Sequence, residues 1–148
     1  PNRELAIIPW RQEQMVLACP PEHPLAARKR VGVRRISGES FVGFDADLPI
    51  RAEVDRYLRS NRVQVKPVLE FDNIESIKRA VENGAGVSIL PRPALDQELQ
   101  AGTLAAVPFS KSGFVRPLGL IRRKKKELDA SLEGFIEILK AETAGSFH

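Results

Sequence analysis

The chain has 148 residues, 43% hydrophobic and 28% charged, a balance typical of a globular protein rather than a disordered one. No apolar run approaches the roughly 20 residues of a membrane-spanning helix, and the first residues lack the apolar region of a signal peptide. A net charge of +4 with 6% aromatic residues differs from the dense basic surface of a nucleic-acid module. Cys19 is the single cysteine, which excludes an internal disulfide and a cysteine zinc site. Met15 is the single methionine, so we expect a segment of a longer protein.

Short apolar runs dominate the first part of the chain. The runs at 5–9 and 15–19 predict β-strands, and the run at 41–44 predicts another. Between them, the proline-rich stretch 20–24 suits neither a helix nor a central strand, and it predicts a hinge or linker. The segment 31–36 is compatible with a short helix or a turn.

A first helix is predicted to begin at Pro49, because proline is favoured in the first helical turn, and to end at Asn61. Apolar residues follow Pro49 at helical spacing and form one stripe: Ile50, Val54, Tyr57 and Leu58. A strand follows within 63–71, where Pro67 indicates an edge position or a bend.

The clearest unit is a strand, a helix and a strand at 65–71, 74–83 and 87–90. Asp72 and Asn73 offer capping oxygens, and Glu75 stands three residues after Asp72 as in a capping box. Gly84 is free to adopt a positive φ and to end the helix. The short connections predict an α/β crossover, and hence an α/β fold.

The remaining pattern completes an α/β sequence. A short helix is predicted at 93–100, ending near Gly102, with strands at 104–107 and 117–122. Apolar residues spaced by three and four between Leu128 and Leu139 predict a long amphipathic helix that ends at about Glu142.

Few side chains indicate a catalytic, phosphate-binding or metal-binding site. His23 lies in the predicted hinge with no serine nucleophile motif in the sequence, so we interpret it as a structural or surface histidine. The glycines of 84–86 are interpreted as a helix stop and tight turn rather than a phosphate loop. Asp45 and Asp47 could form a carboxylate pair or serve as metal ligands, but turn and cap roles are favoured. Cys19 fits a small apolar strand residue. We expect no catalytic residue, no metal ligand and no cofactor.

Basic residues cluster at 122–126, 28–30 and 34–35. Such runs usually form solvated surface, and no aromatic residue stands among them to stack on a base. Direct nucleic-acid binding would require the runs to converge on one face.

Three stretches, taken together, resemble the effector-binding domain of LysR-type transcriptional regulators. They are 15–26, with the sequence MVLACPPEHPLA, then 71–91, with the sequence FDNIESIKRAVENGAGVSILP, and 117–139, a strand with basic residues followed by a closing helix. The family has His-Pro-Leu-Ala at the crossing between its two regulatory subdomains, here at 23–26. Further family positions are matched by Asn73, Val81, Gly84, Gly86 and Pro91. Their order and spacing match over nearly the whole chain.

The resemblance implies an α/β fold like that of periplasmic binding proteins, with one complete lobe plus the closing strands and helix of the other. Residues 1–19 would end regulatory subdomain 1, residues 20–115 would form subdomain 2, and residues 116–148 would return to subdomain 1. It also implies a small-molecule effector, a change in subdomain orientation on binding, and no catalysis. The full-length protein would be a cytoplasmic homodimer or homotetramer without a membrane partner, and it would bind DNA through a preceding domain that this chain lacks.

The resemblance also indicates where the effector binds: the loop after the 41–44 strand, the start of the second helix, and the hinge. The expected binding residues are Cys19, Pro20, Phe44, Asp45, Ala46, Asp47, Phe71, Asp72 and Asn73. Two helix N-termini facing one cleft favour an anionic group such as a carboxylate.

The family often has serine, glycine or threonine where this chain has Asp45-Ala46-Asp47. Either Asp47 caps the helix, which we favour, or the effector carries hydroxyl groups or an amine. The alternative function is a solute-binding protein of a transport system, which shares the two-lobed architecture. An α/β enzyme is a third alternative, although no convergent catalytic set supports it.

Overall fold

The computed structural model describes residues 12–110 and 113–117. The chain divides into two compact units, Gln14–Val115 and a second formed by Pro1–Glu13 with Arg116–His148. In the second unit, Arg116 Nη1 lies 3.4 Å from Glu13 Oε1. The strand predicted at 5–9 and the helix predicted from Leu128 fall outside the described residues, as does most of the strand predicted at 117–122.

Six described strands form two sheets. Strand β1 (Gln12–Cys19) lies between β4 (Ser88–Pro91) and β5 (Ala105–Pro108) and is antiparallel to both, and β6 (Phe114–Pro117) also pairs with β1. Strands β2 (Ser40–Phe44) and β3 (Lys66–Phe71) form a parallel pair.

A short parallel bridge between Phe41 and Val87 joins the two sheets. Val87 N–H donates to Ser40 O, and Val42 N–H donates to Val87 O, each over 2.9 Å. The hydroxyl of Ser88, which is fully buried, donates to Val42 O over 2.6 Å. Strands β2, β3, β4 and β5 therefore run in one direction, and β1 runs in the opposite direction.

In the described part of the chain, three α-helices accompany the strands: α1 (Pro49–Ser60), α2 (Ile74–Glu82) and α3 (Asp96–Ala101). The segment left open at 31–36 contains a 3₁₀ helix, Val33–Ile36. The helix predicted at 93–100 is a 3₁₀ helix, Arg92–Leu95, that continues into α3, and Gly102 ends α3 with a φ of 76°. None of the helices within the described ranges is long and apolar enough to cross a membrane.

The core has one apolar layer on each face of the sheets. Alternate residues of β1 point to opposite faces: Met15 and Leu17 belong to one cluster, and Val16 and Ala18 belong to the other. Helix α1 covers the first face with Val54 and Leu58, which are buried. Helix α2 covers the second face with Ile77 and Val81, and Leu95 joins them there. The larger unit is thus an α/β/α arrangement, as the α/β prediction required.

The predicted Asp47 cap and the predicted capping box of Asp72 with Glu75 are wrong, whereas capping by Asn73 is confirmed. The N-cap of α1 is Leu48, which is extended with a ψ of 140° and makes no side-chain cap. Pro49 occupies the first helical position and fixes the cap one residue after Asp47, so Asp47 does not cap α1. The N-cap of α2 is Asn73, whose Oδ1 accepts from Ser76 N–H over 2.8 Å. Glu75 is therefore one residue too early to close a capping box with it.

The strand–helix–strand prediction is confirmed as β3, α2 and β4, with β2 lying between the two strands. Gly84 follows the helix with a φ of 86°, as expected for a glycine helix stop. At Gly86 a Cβ atom would lie 2.4 Å from Ser40 O. The absence of a side chain there lets β2 approach the start of β4.

Candidate functional site

The carboxyl ends of β2 and β3 meet at one edge of the larger unit. Phe44 is in register with Phe71, and Asp45 N–H donates to Phe71 O over 2.9 Å. The chain enters α1 after β2, and it enters α2 after β3. We call residues 44–48 and 71–73 the carboxyl edge. Open α/β sheets bind ligands at the carboxyl ends of their strands.

Seven of the nine predicted binding residues lie at the carboxyl edge. Phe44 is buried, Asp45 and Phe71 are half-buried, and the other four are exposed: Ala46, Asp47, Asp72 and Asn73. Asp45 O accepts from Leu48 N–H over 3.2 Å and shapes the turn before α1. The edge therefore combines three carboxylates with two helix starts. Within the described ranges, no group of three or more His, Cys, Asp or Glu residues could hold a metal ion.

Arg51 is the cation of the carboxyl edge, and sequence analysis missed it. Its Nη1 donates to Phe44 O over 2.7 Å and to Glu70 Oε2 over 3.2 Å, and its Nε donates to Asp55 Oδ2 over 2.9 Å. Burial lowers the pKa of the guanidinium, but the hydrogen bonds and negative charges of Asp55 and Glu70 outweigh burial and raise it. Arg51 thereby ties the ends of both strands to α1.

A cavity lies behind Arg51, with Phe41, Val54 and Glu70 among its walls. Its volume is about 50 Å³, whereas sites for small organic ligands usually span roughly 300–1,000 Å³. This cavity has room for water but not for an effector. An effector at the carboxyl edge would bind at the surface of the larger unit.

Cys19 and Pro20 are not brought to the carboxyl edge. Cys19 ends β1 opposite Ala105, where β5 begins, and both Cys19 and Pro20 are buried. Because β1 runs against β2 and β3, its last residue lies at the far end from Phe44 and Phe71. Burial, helped by the charges of Glu39 and Glu22, raises the pKa of the Cys19 thiol to about 11.

The stretch 20–24, predicted as a hinge, forms hydrogen-bonded turns inside Gln14–Val115. The Nδ1 atom of His23 accepts from Leu25 N–H over 3.0 Å, and its Nε2 lies 3.1 Å from Glu39 Oε1. Since Nδ1 accepts, we assign the proton to Nε2, which donates to Glu39. The interpretation of His23 as a structural residue is confirmed.

Comparison with known proteins finds relatives of one kind, HTH-type transcriptional regulators. The HTH-type transcriptional regulator CysL of Bacillus subtilis is 30% identical over 140 residues, which are 95% of this chain and 47% of CysL. The uncharacterized HTH-type transcriptional regulator YeiE of Escherichia coli is 31% identical over 136 residues, 92% of this chain and 46% of YeiE. The chain thus spans about half the length of these relatives. Since both are regulators, the transport-receptor alternative is not favoured.

The fold has solved counterparts. The regulatory domain of Synechocystis CcmR, solved in complex with 2-PG, matches with a TM-score of 0.74 at 23% identity, over 93% of this chain and 66% of that domain. This likeness supports the expected fold, that of an effector-binding domain of the periplasmic-binding-protein type. The family model of the LysR substrate binding domain matches residues 1–144. The chain therefore belongs to the LysR substrate-binding domain family.

Proposed function

We propose that this chain is the effector-sensing part of a LysR-type transcription regulator. Binding of a small molecule changes the relative orientation of two regulatory subdomains, which we take to be the two compact units, residues 1–13 with 116–148 and residues 14–115. The whole protein is a cytoplasmic homodimer or homotetramer that binds DNA through a domain preceding this chain. The observation that carries the proposal is the carboxyl edge, where two parallel strands end side by side and each leads into a helix.

The effector contacts come from the carboxyl edge. Phe44 and Phe71 form its floor, and Asp45, Ala46, Asp47, Asp72 and Asn73 surround them. Cys19 and Pro20 are left out of the site because they are buried at the opposite end of β1.

The carboxylates of the edge determine what the effector carries. Asp47 is exposed and does not cap α1, so its carboxylate is available to a ligand. A purely anionic ligand would be repelled by Asp45 and Asp47, whereas hydroxyl or amine groups would donate hydrogen bonds to them. An effector with both a carboxylate and hydroxyl or amine groups fits this edge. Its carboxylate would face the positive helix N-termini, and its hydroxyl or amine groups would donate hydrogen bonds to the aspartates.

Thermal unfolding of the 148-residue chain tests the proposal. Small hydroxy acids and amino acids are screened at millimolar concentration, and a ligand at 100 times its Kd would stabilise by about 2.7 kcal/mol and raise Tm by roughly 5–10 °C. Asp47→Asn is expected to keep the unliganded Tm and to weaken binding of the hit at least tenfold. Asp96→Asn changes another exposed aspartate, on α3, and serves as the matched control.

Two results would contradict the proposal. One is that no compound of either class shifts Tm. The other is a hit whose affinity falls equally in the Asp47 and Asp96 variants, because that ligand would not be using the carboxyl edge.

A further inference from the structure

The carboxyl-terminal half of α1 carries a row of free cations. Arg56, Arg59 and Arg62 follow one another at three-residue spacing, and Lys66 begins β3. All four are exposed, and among the residues that the structure describes none of them has an ion-pair partner. Arg56 and Arg59 are three apart on α1 and share one side of the helix, and Arg62, which follows the helix end, lines the same surface groove as Arg59.

A shallow groove of about 470 Å³ runs along this surface. Its polar lining residues are Arg59, Arg62, Gln64 and the single acidic member Asp55, and its other three lining residues are apolar: Leu58 and Val63, which are buried, and Val65, which is half-buried. Asp55 already accepts a hydrogen bond from Arg51 Nε, so its charge is compensated. We call this groove, together with Arg56 and Lys66, which adjoin its lining residues Asp55 and Val65 in the chain, the basic groove.

Arg62 occupies its position at an energetic cost. Its φ is 60°, the one positive φ of a non-glycine residue within the described ranges. Arg62 N–H donates to Arg59 O over 3.0 Å and Val63 N–H donates to Leu58 O over 2.9 Å, the two hydrogen bonds of a Schellman motif. Glycine is the favoured residue at this place, because a side chain is disfavoured at a positive φ. A strained residue that keeps a charge in a groove points to a binding role.

The composition of the groove favours a phosphate backbone over a protein partner. Protein interfaces centre on buried aromatic or large apolar anchors. The exposed large apolar side chains among the described residues are Val68, Leu69 and Val115, and none of them lines the groove. Surfaces that bind DNA are instead polar and strongly positive, and arginine, lysine and glutamine side chains supply their phosphate contacts.

We propose that the basic groove of Arg56, Arg59, Arg62 and Lys66 binds the phosphate backbone of duplex DNA. The contact is independent of base sequence and adds a second point of attachment to any DNA-binding domain in the whole protein. It does not depend on the effector, so an effector site that fails its own test leaves this proposal standing.

Fluorescence anisotropy of a labelled random-sequence duplex with the 148-residue chain tests the proposal at 50–200 mM salt. Four phosphate contacts predict a slope of log K against log salt near −3.6, a loss of roughly 150-fold in affinity over that range. Arg59→Gln with Arg62→Gly should halve the slope to about −1.8 and reduce the loss to roughly tenfold. Arg62→Gly relieves the positive φ, so weaker binding by Arg62→Gly alone cannot be ascribed to unfolding.

Arg92→Gln is the matched control. Arg92 is exposed, and its replacement by glutamine removes the same charge, although Arg92 pairs with Asp96 at 3.3 Å. It begins the 3₁₀ helix whose Leu95 packs on the opposite face of the sheets. Its slope should equal that of the unchanged chain. The basic run at 122–126 is present in every variant. A difference in the salt slope between the groove variants and the unchanged chain is therefore caused by the groove residues.

Three outcomes would overturn the proposal. They are absence of binding at 50 mM salt, a slope that the groove variants leave unchanged, and an equal loss in the Arg92 control. A change in oligomeric state without a change in DNA affinity would assign the groove to contact between copies of the chain, and would also refute the DNA contact.

Discussion

Replacement of Lys78 by methionine should strongly destabilise the larger unit. Lys78 is 3% exposed, yet its Nζ has three oxygen partners: Ala94 O at 2.8 Å, Glu98 Oε1 at 3.0 Å and Glu75 Oε2 at 3.0 Å. Methionine fills a similar volume but removes the ammonium. The change leaves Glu98, which is 5% exposed, without one of its two cations.

The expected loss follows from those contacts. Removal of one partner from a buried ion pair costs about 3–5 kcal/mol. Arg79 Nη2 stays 2.8 Å from Glu98 Oε2 and compensates part of the remaining charge. We therefore expect the lower end, about 3 kcal/mol, measured as a shift of roughly 1–2 M in the midpoint of urea unfolding. Lys29→Met, at an exposed lysine, should change stability by less than about 0.5 kcal/mol.

A double-mutant cycle separates pairing from packing. With Glu98→Leu added to Lys78→Met, no buried carboxylate remains without its cation, and the double variant should be more stable than Lys78→Met alone. The reasoning is refuted if Lys78→Met loses less than about 1 kcal/mol. It is equally refuted if the losses of the two single variants simply add.

Three smaller predictions concern separate parts of the unit. Gly86→Ala places a Cβ against Ser40 O, 2.4 Å away, and should lower stability in urea by about 2–3 kcal/mol, while Gly32→Ala, with open space around it, should be neutral. The hydrogen bond from the Thr103 hydroxyl is the main influence that lowers the pKa of Glu82. Arg79 lowers this pKa further, whereas burial raises it. A lowered carboxyl pKa adds stability above its ordinary value of 4.5, and the addition is lost as pH falls below it. Thr103→Val should therefore be less stable by about 1 kcal/mol at pH 7 and equal to the unchanged chain in acid. Cys19, buried and with its pKa raised to about 11, should react with a thiol reagent at pH 8 only after denaturant is added.

Each of these has a clear contrary result. If the Gly86 and Gly32 variants are equally stable, the close approach of β2 to β4 is not constraining. A stability difference of the Thr103 variant that persists at pH 3 could not come from the ionisation of Glu82. Rapid labelling of Cys19 in the native chain would mean that the end of β1 opens readily to solvent.

Local patterns predicted most elements of the larger unit, because each carried its own start or stop signal. Pro49 marks the start of α1, and Gly84 and Gly102 mark the ends of α2 and α3. The error over the α1 cap was avoidable, since a proline at the first helical position fixes the cap at Leu48. The error over the capping box of Asp72 with Glu75 was harder to avoid, because Asp72 and Asn73 are both good caps and only Asn73 caps α2.

The candidate site could be predicted where it follows from chain order alone. Two successive strand–helix units that pair in parallel must bring Phe44 and Phe71 to one edge. The direction of β1 has no local signal, because its partners lie far along the chain, so the distance of Cys19 from the carboxyl edge could not be predicted from its sequence neighbours. The contact of Arg51 with Glu70 depends on register, and the register shifts by one residue where β3 passes Val68.

The position of β1 between β4 and β5 has a consequence for biosynthesis. Its last four residues pair with Ala105–Pro108, which are translated about 90 residues later, a delay of roughly 4–18 s at 5–20 residues per second. Until β4 (Ser88–Pro91) is translated, neither edge of β1 has its partner, and the edge that pairs with β5 stays unpaired to the end of the interval, open to aggregation and to capture by chaperones. Shortened versions of this chain that stop before β5 would leave that edge of β1 permanently unpaired.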